Sequence, residues 1–148
     1  MPRAINRAGA LAALLLSLAG CDRLYHERLV YAITETTLMD GGVQPPIEEA
    51  VVVIDDGKIT AMGPAAEVAI PRNAWRIDGR GKFVFPSSLE QPLQTGGPAD
   101  LILCTVNPAR DPDYKNKIAG RMDNGRWWSA DDSPLRKATS QRSLNRRF

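Results

Sequence analysis

The chain has 148 residues, a formal net charge of +2, 6% aromatic residues, two cysteines and one histidine. That length suits one small domain. A charge so close to neutral, with no basic patch interleaved with aromatic rings, argues against nucleic acid as a partner, and the widely separated Cys21 and Cys104 do not make a zinc site of the usual spacing.

Arg3 and Arg7 introduce a short apolar run over residues 8–18. A membrane-spanning helix needs about 20 apolar residues, so this run reads instead as the apolar region of a signal peptide. It ends in Leu18-Ala19-Gly20-Cys21, which resembles the lipobox of bacterial lipoproteins. That resemblance implies cleavage before Cys21, lipidation of its thiol and a membrane-lipid partner in the cell envelope. Several acyl chains on one residue anchor stably where a single chain would be marginal. Asp22, by the same resemblance, points to the inner membrane, at its periplasmic face. The competing reading is an ordinary secretory signal, or a short buried helix, with an incidental cysteine. On the lipoprotein reading residues 1–20 are the signal, residues 21–28 a tether, and Cys104 a lone thiol.

Residues 29–34 and 36–39 read as two short strands, closed by Asp40-Gly41-Gly42 and a loop containing Gln44-Pro45-Pro46. Residues 50–54 are a run of Ala, Val and Ile, too short for a helix and suited to a buried strand. Asp56-Gly57 separates it from a further strand over residues 58–62. Asp-Gly between two such runs signals a tight hairpin, because both turn positions want positive φ. Residues 64–70 hold at most one helical turn, closed by Pro71. Residues 75–78 alternate as a half-exposed strand, Gly79-Arg80-Gly81 turns, and residues 82–85 form another strand. Residues 86–98 are polar, with Pro and Gly and no period, and read as a linker.

Residues 100–106 make a second buried strand and residues 107–116 a loop. The strands at 118–123 and 126–128 flank Asn124-Gly125, another two-residue hairpin signal. Beyond Trp128 the chain is poor in apolar residues, and residues 129–148 are expected to be disordered. The basic residues there suit solvation, or anionic lipid head groups. Eight or nine short strands with almost no helix predict an all-β fold, a small β-sandwich or barrel.

Few residues offer chemistry. His26 lies in the tether and cannot by itself hold a metal that activates water. A nucleophilic Cys104 would need a base or cation to lower its pKa, yet it sits in an apolar strand, where an inert buried thiol is expected. Glu48, Glu49, Asp55 and Asp56 invite a paired-carboxylate reading. The hairpin turn explains Asp56 better, and a solvated loop explains the glutamates. Trp127 and Trp128 are adjacent, so on a strand they face opposite ways, one toward the core and one toward the surface. No catalytic, metal or cofactor residue is assigned, and Cys21 is the one modification site expected.

Two blocks together resemble the amidohydrolase superfamily, in particular its imidazolonepropionase-like and prolidase-type branch. The first holds Leu38-Met39-Asp40-Gly41, the stretch from Ile47 to Ile59 with Asp55-Asp56-Gly57-Lys58, then Ile77-Asp78 and Gly81-Lys82-Phe83-Val84-Phe85-Pro86. The second holds Gly97-Pro98-Ala99-Asp100-Leu101-Ile102-Leu103, Asn107-Pro108 and Asn124-Gly125-Arg126-Trp127. In that family the two blocks lie at opposite ends of a long chain and fold together as one composite β-domain, separated by a metal-dependent TIM barrel. Here residues 87–98 stand between them. After the strand the family pattern runs to an aspartate and a His-any-His pair. This chain has Pro86-Ser87-Ser88-Leu89-Glu90-Gln91-Pro92, so the resemblance carries no metal ligand across. Catalytic residues of TIM barrels sit at strand C-terminal ends, and no barrel strands are expected here.

The resemblance therefore implies a composite β-domain over residues 29–128, with 29–86 as its first part, 87–98 as a linker replacing the barrel and 99–128 as its second part. The expected role is non-catalytic, binding or structural, with a protein partner on the face the barrel would have covered. The alternative is part of a metal-dependent hydrolase of non-peptide C–N bonds, with its barrel supplied by another chain.

Overall fold

The computed structural model describes residues 28–132. Its two tightest turns are the ones the Asp-Gly and Asn-Gly pairs demand. Asp56 and Gly57 have φ of 50° and 75°, and Asn124 and Gly125 have 48° and 74°. These are the positive-φ positions of two-residue hairpin loops. The first joins β2 (Ile47–Asp55) to β3 (Lys58–Pro64). The second joins β7 (Ile118–Asp123) to β8 (Arg126–Ser129).

The remaining strands are β1 (Val30–Leu38), β4 (Trp75–Asp78), β5 (Phe83–Pro86) and β6 (Leu101–Cys104). One hydrogen-bonded path runs β3-β2-β1-β5-β6-β7-β8, with β4 also paired to β1. The only helical pieces among the described residues are single 3-10 turns at Tyr114–Asn116 and Ala130–Asp132. The expected all-β fold is what forms, without a TIM barrel. Residues 64–70, where the sequence allows one helical turn, make a plain turn in which Glu67 N–H donates to the Pro64 carbonyl.

The strands expected separately at 29–34 and 36–39 are one strand. Between Ile33 and Thr36, β1 spends three residues against two of β2, and Glu35 takes φ 55°. Between Thr36 and Leu38 the excess passes to β2, where Glu49 takes φ 48°. Two opposed bulges thus cancel in register but bend the pair, as bulges do. Because one extra residue reverses the side-chain parity, Ile33 and Leu38 both reach the same core cluster although they are five positions apart.

The bend divides the other edge of β1. Before it, Tyr31 to Thr34 pair in parallel with Trp75 to Asp78. After it, Thr37 and Leu38 pair in parallel with Phe83 and Val84 of β5. The turn joining β4 to β5 fits against the bulge. Gly79 N–H donates to the Thr34 carbonyl at 2.8 Å, and the buried Thr36 hydroxyl donates to the Lys82 carbonyl at 2.9 Å. A side chain at Gly79 would put its Cβ 2.6 Å from the Thr34 oxygen.

The main core lies between the two ends of this folded sheet. It gathers Ile33 and Leu38, Val52 and Ile54, Ile59, Val84, Leu101 and Leu103, and Met122. Each fully buried side chain of this size contributes about 1.5–3 kcal/mol. The opposite face of β1 and β2 carries Val30, Val51 and Val53, which are covered by Ala61, Val68, Ile70 and Ala74. This explains why β2 reads as an unbroken apolar run, since both of its faces are buried.

The segment 87–98 is stitched to both ends of the sheet. Ser87 N–H donates to the Asp100 carbonyl and Leu93 N–H to the Asp40 carbonyl, while Ile59 exchanges backbone bonds with Gly96 and Gly97. Leu93 is 4% exposed and belongs to the core. The two hairpin tips meet there: a methyl group on Gly125 would lie 2.8 Å from the Gly57 Cα.

This contact makes a stability prediction. Gly81→Ala meets no neighbour but takes φ 66°, and should cost about 1–2 kcal/mol. Gly125→Ala carries the same backbone strain and a backbone clash, which adds about 1–3 kcal/mol. Urea unfolding midpoints of the two variants check this ordering, and equal midpoints would refute the tip contact.

Candidate functional site

The outward face of β5, β6 and β7 carries the concave surface of the domain. Phe85 lies opposite Ile102, and Ile102 opposite Arg121, so alternation puts these three on one face. The inward set on the same strands is Val84, Leu101, Leu103 and Met122. Two clefts lie on the outward face and share Ser87 and Ile102.

The first cleft, of about 430 Å³, mixes polar and apolar walls. It is bounded by Ser88, Gln91, Asp100, Arg121 and Asp123. The second, of about 490 Å³, is mainly apolar, with Met39, Pro46, Phe85, Leu89, Pro108 and Tyr114 around it. Apolar walls with a few polar groups are typical of ligand pockets. Neither cleft brings together the nucleophile, base and oriented acid that bond cleavage requires.

A loop over residues 105–117 roofs part of this face. Tyr114 sets its ring edge-on against Phe85, with centroids 5.6 Å apart. The loop is tied internally: the Asn107 side chain accepts from Ala109 N–H, and that of Asp111 from Asp113 N–H. Lys117 closes it with a 2.6 Å ion pair to Asp111. The Lys117 ammonium, donating to Asp111 and assisted by Asp113 N–H, holds the Asp111 carboxyl below the usual carboxylate range. The same bond raises Lys117.

Cys104 lies fully buried beneath this loop on β6. Its thiol donates toward the carbonyls of Lys117 at 3.1 Å and Tyr114 at 3.4 Å. That is a satisfied core position rather than a nucleophile beside a base.

Glu48 and Glu49 are exposed at the start of β2, and Glu49 is there as a bulge residue. Asp55 holds Arg28 through a two-pronged pair at 2.6 and 2.7 Å. Asp56 is the hairpin residue its left-handed φ requires. The structure therefore assembles no carboxylate pair from these four. Trp127 packs over Gly120 against the core, whereas Trp128 is 53% exposed and lies beneath the Arg126 guanidinium, 5.9 Å from its ring centroid. The opposite facing expected of the two tryptophans is found. Cys21 and His26 lie outside the described residues. Among the described residues no group of three or more His, Cys, Asp or Glu could hold a metal ion.

Neither the clasp between Asp111 and Lys117 nor the contribution of Leu93 is visible in the sequence pattern. Both belong to segments without a period.

No family model and no curated protein matches the chain. Solved structures similar to the chain include a molinate hydrolase, a prolidase and a D-hydantoinase, which are amidohydrolase-family proteins. A molinate hydrolase is 35% identical over 42% of this chain, with a TM-score of 0.37. A prolidase complexed with N-methylphosphonate-L-proline is 32% identical over 38%, at 0.34. A D-hydantoinase is 29% identical over 39%, at 0.33. These matches cover 13%, 14% and 11% of the respective proteins. The TM-scores are too low to identify the fold by superposition.

Two predictions come from the roofing loop. The Asp111 carboxyl should titrate below the ordinary range in NMR pH titrations and return to it in Lys117→Met. Because its folded pKa is depressed, its stabilising contribution is fully present above the unfolded carboxylate pKa and is lost as pH falls through the folded value. The Cys104 thiol should resist an aqueous thiol reagent in the native protein and react fully in denaturant. Equal rates in both conditions would contradict its burial.

Proposed function

We propose that the chain is a lipid-anchored, non-catalytic β-domain of amidohydrolase type with a binding or structural role. One observation carries this reading: the two blocks of resemblance pair directly. β5 ends the first block and β6 opens the second, and they align antiparallel from Phe83↔Cys104 to Pro86↔Leu101. That is the composite arrangement the resemblance implies, here joined by the returning segment 87–98.

The non-catalytic part of the reading rests on the residues just past β5. Ser87-Ser88-Leu89-Glu90 stands where the resemblance would place an aspartate and a His-any-His pair. Water activation by a bound metal needs several ligands at one point, and Ser and Leu cannot supply them. The anchor rests on Leu18-Ala19-Gly20-Cys21 and the run before it.

A second reading has one observation in its favour. The apolar cleft and the exposed Leu89 lie beside the exit of β5, where a hydrolase barrel on another chain could seat itself. The domain would then serve a metal-dependent hydrolase of non-peptide C–N bonds in trans.

Expression of the full chain in a bacterium with an intact envelope tests both readings. Acyl mass on Cys21, lost in Cys21→Ala, with no stoichiometric zinc and no hydrolysis of a simple amide or lactam, is the expected result. Stoichiometric metal with turnover would overturn the non-catalytic reading, and an unmodified Cys21 would overturn the anchor.

A further inference from the structure

The apolar cleft has a floor built from three strands. Leu38 pairs with Val84, and Met39 N–H continues that pairing by donating to the Val84 carbonyl at 2.8 Å. Phe85 lies opposite Ile102. Side-chain alternation therefore lines up Met39, Phe85 and Ile102 from the end of β1 across β5 to β6. Three further segments border this floor: the turn after β1, the exit of β5 as far as Leu89, and the roofing loop with Tyr114. The Tyr114 ring stands 5.6 Å from that of Phe85. A hollow of about 490 Å³ has the size of a small-molecule pocket.

Among the described residues that border this cleft, Asp40 alone carries a charge. It makes no ion pair with a described residue. Its Oδ1 accepts from Gly42 N–H at 2.8 Å, and no donor among the described residues meets its Oδ2. The backbone that carries it is fixed from two sides. The Asp40 carbonyl accepts from the N–H of the core residue Leu93 at 2.7 Å. Gly41, at φ 84°, sits so close to Pro86 that a Cβ there would lie 2.5 Å from the proline Cγ. A carboxylate on backbone already held in place spares a ligand much of the cost of ordering it. Arg110 and Lys115 follow Ala109 and Tyr114 in sequence but do not border the cleft, and Lys117 is taken by Asp111.

We propose that this cleft binds a small organic cation, an ammonium group carried on an aromatic or other apolar body. That ligand class deepens the binding role put forward above and rests on it. The apolar body covers Met39, Phe85 and Ile102, which alternation turns outward. The ammonium donates to the Asp40 carboxylate, a charge-assisted hydrogen bond and so one of the stronger kind. The rings of Tyr114 and Phe85 add a preference for cations, because aromatic faces attract positive charge. An anion of the same shape meets one carboxylate and no bordering cation, so the cleft rejects it.

The test uses the full chain in an uncharged maltoside detergent, with isotope-labelled methionine methyls read by NMR and phenethylammonium as the probe. Met39 borders the cleft, whereas Met62 and Met122 pack with the core and serve as controls. Expected is a saturable shift of the Met39 methyl with Met62 and Met122 unmoved, and binding about tenfold weaker in Asp40→Asn. The amide oxygen of that variant still accepts from Gly42 N–H, so the turn is kept, and unchanged control methyls show that the fold is kept. Phenethyl alcohol, which lacks the charge, should bind about tenfold more weakly than the ammonium and equally to both proteins. Hydrocinnamate should bind more weakly still. A Met39 methyl that does not move, or a shift confined to Met62 or Met122, would overturn the site. So would equal binding of the alcohol and the ammonium, or undiminished binding in Asp40→Asn. None of these failures touches the non-catalytic reading, which falls on stoichiometric metal with turnover.

Discussion

The fold depends on how β1 bends. Glu35 and Glu49 adopt left-handed backbone conformations that cost non-glycine residues about 1–2 kcal/mol each. That cost lets a single strand belong to both halves of the sheet. Its first half pairs with β4 and its second with β5. A strand that turns a corner through a bulge is the usual way one sheet closes over its own core. Without the bend, β5 to β8 would continue as a flat extension, and Leu103 and Met122 would not face Ile33 and Ile54. Exposed glutamate suits these positions because it asks nothing of the core. Glu35 also meets Arg80 at 3.0 Å, a surface pair that adds little to stability.

Closure then needs small residues at contacts between backbones. Gly57 against Gly125 and Gly79 against Thr34 are approaches that any Cβ would obstruct. The segment 87–98 does related work by different means. Its Leu93 plugs the core and its carbonyls and N–H groups pair with β3 and with Asp40. A stretch with the composition of a spacer thereby becomes part of the hydrogen-bonded frame, which satisfies backbone groups that burial would otherwise leave unpaired.

The outward face of the second half sets the functional reading. A satisfied thiol, an internally clasped loop and two open clefts make up this face. Arg121, Asp100 and Asp123 border the first cleft.

Local chemistry made much of this legible in advance. Asp56-Gly57 and Asn124-Gly125 determine their own turns, because few other pairs tolerate two successive positive φ values. The β-branched run of β2 and the apolar run of β6 declare buried strands, and adjacency alone sends Trp127 and Trp128 to opposite faces. Tertiary structure decided the rest. Nothing in the residues around Glu35 announces a bulge, since glutamate has no left-handed preference and is placed there by the pairing of β1 with three other strands. Leu93 lies in a segment without a period, and its burial is set by Asp40 and Ile59, which are distant in sequence. Turns and strand runs are settled by short-range sterics and burial of the local pattern. Bends, closures and plugs are settled by partners far along the chain, which no local pattern encodes.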